Sequence, residues 1–260
     1  MPNSISISKN PMDLTGERIL VTGASSGIGK ATAQLLSALG AQVVVLGRNK
    51  ERLEQALKTL EGSGHSIEIF DLSEFDQIPS MLKRITQEGK SFSGIFHAAG
   101  IEFVMPVRLL KEKQINEVFN SNIRPMMALV RGFCKKGIRS ETMCSIVLMS
   151  SVASLKGQSG MSLYSASKGA MDAAMRSMAC ELAESKIRIN SIAAAAVETE
   201  MHQRLIQNMS MATLNGYQEK HLLGFGQVED IANASAFLLS NASRWITGTT
   251  MIVDGGYTCR

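Results

Sequence analysis

Long apolar runs are missing from this 260-residue chain, although 45% of its residues are hydrophobic. No stretch approaches the roughly 18 consecutive apolar residues of a membrane-spanning helix, so no membrane partner is expected. Charge of one sign is scarce too: 27 Lys and Arg stand against 23 Asp and Glu, and the net +4 is dispersed. A protein that neutralises many phosphates concentrates its bases, so nucleic acid is excluded as the main partner. Cysteine is limited to Cys134, Cys144, Cys180 and Cys259, without CxxC spacing. Four scattered thiols suggest neither a disulfide framework nor a metal centre, and they read as reduced thiols of a cytoplasmic protein. Residues 1–10 lack the basic start and apolar segment of a secretory signal, and residues 1–14 are expected to form a flexible tail. No linker, composition break or internal repeat divides residues 15–260, which are read as one domain.

What is present is alternation. Residues 18–21, 41–46, 66–70, 94–98, 145–149, 187–193 and 249–253 read as strands. Helical spacing of apolar residues runs over 30–39, 50–60, 75–86, 111–136 and 163–183. Strand and helix in turn predict an α/β fold: a doubly wound, Rossmann-like parallel sheet with helices on both faces. Residues 198–226 depart from the pattern and are rich in Met and polar residues. Met201, Met209 and Met211 suit either an adaptable apolar pocket or the packing of a surface helix pair.

Two motifs carry chemistry. Thr22-Gly23-Ala24-Ser25-Ser26-Gly27-Ile28-Gly29 lies between the first strand and the first helix. Glycines there let the backbone turn sharply and approach a pyrophosphate, and the following helix offers free N–H groups to the anion. Tyr164-Ser165-Ala166-Ser167-Lys168 puts a phenol and an ammonium four residues apart, on one helix face. A fixed positive charge is expected to pull the phenol down from its ordinary pKa of about 10. Such pairs also decorate solvated helices, so the motif needs its context.

That context resembles the short-chain dehydrogenase/reductases. Residues 22–29 resemble the family's TGxxxGxG loop, and Tyr164-x-x-x-Lys168 its YxxxK motif. Ser151, thirteen residues before Tyr164, matches the catalytic serine, and Asn122 the active-site helix asparagine. Val253-Asp254-Gly255-Gly256 resembles the C-terminal strand. The resemblance implies reversible hydride transfer between a nicotinamide and a carbonyl carbon. Tyr164 would donate the proton in reduction, Ser151 would hold the carbonyl oxygen, and Lys168 would bias the phenol and bind the nicotinamide ribose. Asn122 would place a water linking Lys168 to solvent. The family pattern also implies cofactor contacts at Gly23, Ser25, Ser26, Gly27, Ile28, Gly29, Asp71, Leu72, Ala98, Ala99, Gly100, Val197 and Thr199, and a helical substrate lid at about 198–226. A homo-oligomer, dimer or tetramer, is implied by the helices around Asn122 and Tyr164.

Cofactor choice is read from the end of the second strand. An acid there would bind ribose hydroxyls and repel a 2′-phosphate. Gly47-Arg48-Asn49-Lys50 has none, and Arg48 can fork onto phosphate, so NADP(H) is expected over NAD(H). Two departures stand out. His97-Ala98-Ala99-Gly100 replaces the family's Asn-Asn-Ala-Gly, and His97 is read as a packed strand-end residue. Ala194-Ala195 replaces a Pro-Gly turn, so looser cofactor binding is expected there. The substrate is expected to be a small carbonyl or alcohol compound: a 3-oxoacyl thioester, or a sugar, polyol or steroid alcohol. A low-turnover cofactor-binding scaffold is the reading from a different class. For a carrier-protein thioester, Lys135, Lys136, Arg139 and Lys186 would form a basic docking face at the active-site mouth.

Overall fold

Strands buried on both faces sort the chain into two cores, one on either side of a parallel sheet. The computed structural model describes residues 10–207 and 210–260. Its strands are β1 Arg18–Thr22, β2 Gln42–Gly47, β3 Ser66–Ile69, β4 Gly94–His97, β5 Cys144–Ser151, β6 Ile187–Ala194 and β7 Thr250–Val253. Its α-helices are α1 Gly27–Ala38, α2 Lys50–Leu57, α3 Ile78–Gln87, α4 Glu112–Asn122, α5 Arg124–Phe133, α6 Ser162–Leu182, α7 Glu200–Ile206, α8 Met211–Gln218 and α9 Val228–Leu239. The strands lie in the order β3-β2-β1-β4-β5-β6-β7, and every pairing is parallel. The doubly wound sheet is therefore the one the alternation predicts.

Successive strand residues face opposite ways. Leu20, Val44, Ile95 and Ile146 pack with α3, α5 and α6, whereas Val21, Val43, Phe96 and Val147 pack with α1, α2 and α9. Burying one such aliphatic or aromatic side chain contributes about 1.5–3 kcal/mol. No helix among the described residues is long and apolar enough to cross a membrane.

Three expectations about elements change. Helical spacing over 111–136 resolves into α4 and α5, broken at Ile123 (φ −105°, ψ −52°). Pro125 has no N–H to donate back to residue 121, so the ladder is interrupted just after Asn122. Helix α9 has no counterpart among the sequence expectations, although Ile231, Ala232, Ser235, Ala236, Leu238 and Leu239 give it a buried face. The tail is the third. Residues 1–9 lie outside the described residues, but the domain begins before residue 15. Leu14 is buried and its N–H donates to Leu39 O at 2.8 Å, while Pro11 O accepts from Ala242 N–H at 3.1 Å.

The 198–226 excursion leaves and returns at one point. Glu198 N–H donates to Gly226 O at 2.8 Å, and Gly226 N–H donates to Ala196 O at 3.0 Å. Helices α7 and α8 lie within it, with Met201 and Met211 exposed. Met209 lies outside the described residues.

Candidate active site

Strand order reverses between β1 and β4, the switch point beyond whose carboxyl ends a doubly wound sheet takes its ligand. The glycine loop follows β1 there. Gly23 has φ +67°, and a Cβ there would sit 2.9 Å from Ala99 N. Gly27 has φ +50°, and its Cβ would press on Thr199 Cγ2 at 3.3 Å. Only glycine leaves this cradle open. Helix α1 starts at Gly27, and its N-cap Ser26 makes no side-chain cap bond, leaving first-turn N–H groups for an anion. The cradle therefore fits a dinucleotide pyrophosphate. Thr199 reaches it from the loop after β6, where its hydroxyl also caps α7 by accepting His202 N–H at 3.1 Å. Val197 is buried beside it.

Arg48 and Asp71 leave the paired ends of β2 and β3 and lie 4.0 Å apart, with both side chains exposed. The Ser73 N–H is the main reason the Asp71 carboxyl is held below its ordinary range, and Arg48 adds to the effect. Asn49 caps α2 by accepting Arg52 N–H at 2.8 Å, and the Leu72 side chain belongs to the core. Ala99 N–H donates to Thr22 Oγ1 at 3.2 Å, which ties the stretch from Ala98 to Gly100 to the glycine loop.

The four polar residues expected to act together meet at the carboxyl end of β5. Ser151 ends that strand, and its hydroxyl is near enough to the Tyr164 phenol on α6 to favour the ionised form. Lys168 Nζ lies 5.6 Å from the centre of the Tyr164 ring and donates to Met149 O at 2.7 Å. Asn122, fully buried where α4 ends, clamps Ile101. Its Oδ1 accepts Ile101 N–H at 2.8 Å, and its Nδ2 donates to Ile101 O at 3.0 Å and to Ser167 Oγ at 3.1 Å.

The electrostatics of Tyr164 differ from expectation. Burial first, and the nearby Glu102 carboxylate second, hold its phenol above the ordinary value, while the Ser151 hydroxyl opposes them. Lys168 does not bring it towards neutrality. Burial instead pushes the Lys168 ammonium down to about 8, against the pull of Asp172 and Glu102. The phenol is thus held in its protonated form.

A model of the family described as "Enoyl-(Acyl carrier protein) reductase" matches residues 23–258. The 3-oxoacyl-(acyl-carrier-protein) reductase FabG of Rickettsia prowazekii is 31% identical over 245 residues, covering 94% of this chain and 98% of that protein. A short-chain type dehydrogenase/reductase from Mycobacterium ulcerans superposes with a TM-score of 0.88 at 30% identity, covering 95% of this chain and 92% of that one. This chain belongs to the short-chain dehydrogenase/reductase family. A candidate 2-deoxy-D-gluconate 3-dehydrogenase from Agrobacterium tumefaciens, solved with bound NADP, is also similar. Its TM-score is 0.85 at 30% identity, covering 97% of this chain and 100% of that one.

Within this dehydrogenase/reductase, the departures from the family pattern have local explanations. His97 is 1% exposed, and its Nδ1 pairs with Thr22 Oγ1 at 2.8 Å. Burial, and to a lesser degree Lys168, push its pKa down to about 3, so the ring is neutral and packed. At the lost Pro-Gly turn, β6 runs on through Ala194, paired with Val253. Lys186 alone among described non-glycine residues has a positive φ, so Ala195 sits there without left-handed strain. Ala196 N–H donates to His221 Nε2 at a long 3.4 Å.

The basic docking face is not at the mouth. Lys135, Lys136 and Arg139 precede β5, and Lys186 precedes β6, so they lie at the amino ends of strands whose carboxyl ends carry the site. An eight-residue strand at about 3.3 Å per residue separates the two ends by more than 20 Å.

Three further groups belong to the site and are absent from the sequence expectations. Asp172, buried one turn beyond Lys168, accepts Ser150 Oγ at 3.0 Å and Ser191 Oγ at 2.8 Å. The i+4 spacing from Lys168 is the signal that could have found it. His221 stacks on Tyr257 at 4.7 Å between ring centroids and meets Tyr217 and Phe225 at 5.1 Å each. Glu102 follows the clamped Ile101. Nothing in the sequence around His221 or Glu102 signals their position.

Proposed function

We propose that this chain interconverts a ketone and a secondary alcohol with NADP(H), using Ser151, Tyr164 and Lys168. The observation that carries the reading is the Tyr164 phenol, near Ser151 and with its ring centre 5.6 Å from the Lys168 ammonium, at the sheet end that also carries the glycine cradle. When bound, the nicotinamide supplies hydride to the carbonyl carbon or takes it from the alcohol carbon. Ser151 holds the carbonyl oxygen against Tyr164. Tyr164 gives its proton to the oxygen as negative charge develops there, and takes it back in oxidation. Lys168 keeps a positive charge beneath the ring, steadied by Asp172, and offers its remaining N–H donors to ribose hydroxyls. Asn122 acts at one remove, by fixing the Ile101 backbone that frames the pocket.

NADP(H) is favoured over NAD(H) by the exposed Arg48 and the lack of an acid at the end of β2. The NADP held by the Agrobacterium relative supports the same choice. Among substrates, 3-oxoacyl thioesters and sugar-type alcohols are the two classes the similar proteins' names suggest. The test is Tyr164→Phe, assayed by NADPH oxidation against 3-oxoacyl thioesters, keto sugars and steroid ketones. Loss of a positioned proton donor is expected to lower kcat at least about 100-fold on every substrate the wild type reduces. Unchanged turnover would overturn the assignment.

A further inference from the structure

We propose that Glu102 selects the substrate, its carboxylate receiving a hydroxyl from a neutral polyhydroxylated ketone or alcohol while disfavouring anionic or hydroxyl-free compounds. The inference rests on the reading of Tyr164 as the proton donor, and it narrows the substrate class at that same site.

Placement is the first argument. Asn122 fixes both backbone polar groups of Ile101, so the next residue leaves a rigid point. Two residues before Glu102, a Cβ built on Gly100 would lie 3.8 Å from Lys168 Nζ. The segment therefore runs along the catalytic pair, and the half-buried Glu102 side chain is near enough to act by charge on Tyr164, Lys168 and Tyr217 of α8. It thus lies within electrostatic reach of both the proton donor and the 198–226 excursion.

The second argument is that this carboxylate is unanswered. Among the described residues Glu102 makes no hydrogen bond and no ion pair, and Lys168 directs a bond to Met149 O instead. Half-buried, the carboxylate keeps part of its hydration and has no protein donor to replace the rest. Burial accordingly raises its pKa, and Lys168 only partly offsets this. An ionised carboxylate has about four acceptor sites and no donor. It welcomes hydroxyl groups next to the reacting carbon and repels a substrate carboxylate. A 3-oxoacyl thioester brings no donor beside its ketone, whereas a keto sugar or polyol does.

The full-length protein would be assayed with NADPH on 2-hydroxycyclohexanone, cyclohexanone and an acetoacetyl thioester. A hydrogen bond to a charged group predicts a kcat/KM at least about tenfold higher for the hydroxyketone than for cyclohexanone. Glu102→Met is expected to bring that ratio close to one, whatever the change in the cyclohexanone rate itself. Glu102→Gln keeps an acceptor oxygen and is expected to keep part of the preference. A purely structural residue would lower both substrates in parallel. That result, a preference that survives Glu102→Met, or a wild type without preference would each overturn the proposal. If none of the ketones turns over, calorimetry on the NADP+-loaded protein reads the same ratio as binding of trans-1,2-cyclohexanediol against cyclohexanol. Equal affinity there also overturns it. Full turnover in Tyr164→Phe would instead sink the proton-donor reading and leave the hydroxyl ratio to be judged separately.

Discussion

Burial and two carboxylates compete at Lys168, and burial wins, leaving the ammonium at about 8. In the free protein the charge beneath Tyr164 is therefore lost as pH rises past that value. The expected result is a kcat/KM for ketone reduction that falls above about pH 8, because that parameter reports groups of the free enzyme. The Lys168→Arg variant, with a guanidinium that stays charged, is expected to be slower but to lack that inflection. For folding the sign is opposite. A lysine whose folded pKa lies below its unfolded value of about 10.4 disfavours the folded state while ionised. That penalty fades as pH rises from about 8 towards 10.4. Arg48 makes a second prediction at this scale. It is exposed and makes only a 4.0 Å contact to Asp71, so it has little structural role to lose. Arg48→Ala is expected to weaken NADPH binding roughly tenfold or more while changing NADH binding less than about twofold, read by fluorescence titration. Equal effects on both cofactors would remove the phosphate contact.

Elements position what residues perform. The break between α4 and α5 is legible in Pro125, yet apolar spacing continues across it and masks the signal. Its consequence is local: Asn122 stands at a helix end, where its amide clamps a neighbouring loop. The 198–226 excursion is tied back by Val197 and Gly226 and closed by the aromatic group of Tyr217, His221, Phe225 and Tyr257. The His221 Nδ1–H donates to Tyr217 O at 3.0 Å, which leaves Nε2 as the acceptor for Ala196 N–H. Burial lowers its pKa and keeps the ring in that neutral form. His221→Phe keeps the stacking shape and loses both bonds. It is expected to raise the KM for NADPH about threefold to tenfold, with a smaller change in kcat and a nearly unchanged Tm. A parallel loss of Tm would mark His221 as a packing residue only.

For the whole molecule, the joints between layers matter most. Arg188 of β6 is 6% exposed and donates to Leu238 O at 2.9 Å, Ser240 O at 3.1 Å and Ile246 O at 3.2 Å. It thereby joins Ser145, Asn190 and Ser243 as a donor to carbonyls around the C-terminal end of α9 and ties that helix to the sheet. Arg188→Leu removes three charge-assisted bonds, although each carbonyl keeps another donor, and is expected to lower unfolding stability by about 2 kcal/mol, measured as a shifted urea midpoint. Such a tie is illegible in the sequence, since α9 itself goes unrecognised there and a lone Arg in a strand carries no pattern.

Sequence by itself determined the sheet, the glycine cradle and the family, since all three depend on local regularities. Short continuous apolar runs mark strands, helical spacing marks their covers, and glycine is the residue that fits a left-handed turn beneath a strand end. The Ser151, Tyr164 and Lys168 residue types were equally plain. The tertiary structure alone decided how those groups are charged and what stands around them. Burial depth sets the Tyr164 and Lys168 pKa values, and no spacing reports it. Glu102, Asp172 and His221 reach the site through contacts between separate segments. Parallel pairing also sends the basic residues before β5 and β6 to the end of the sheet remote from Tyr164. Local pattern specifies elements; desolvation and long-range proximity exist only once those elements have packed.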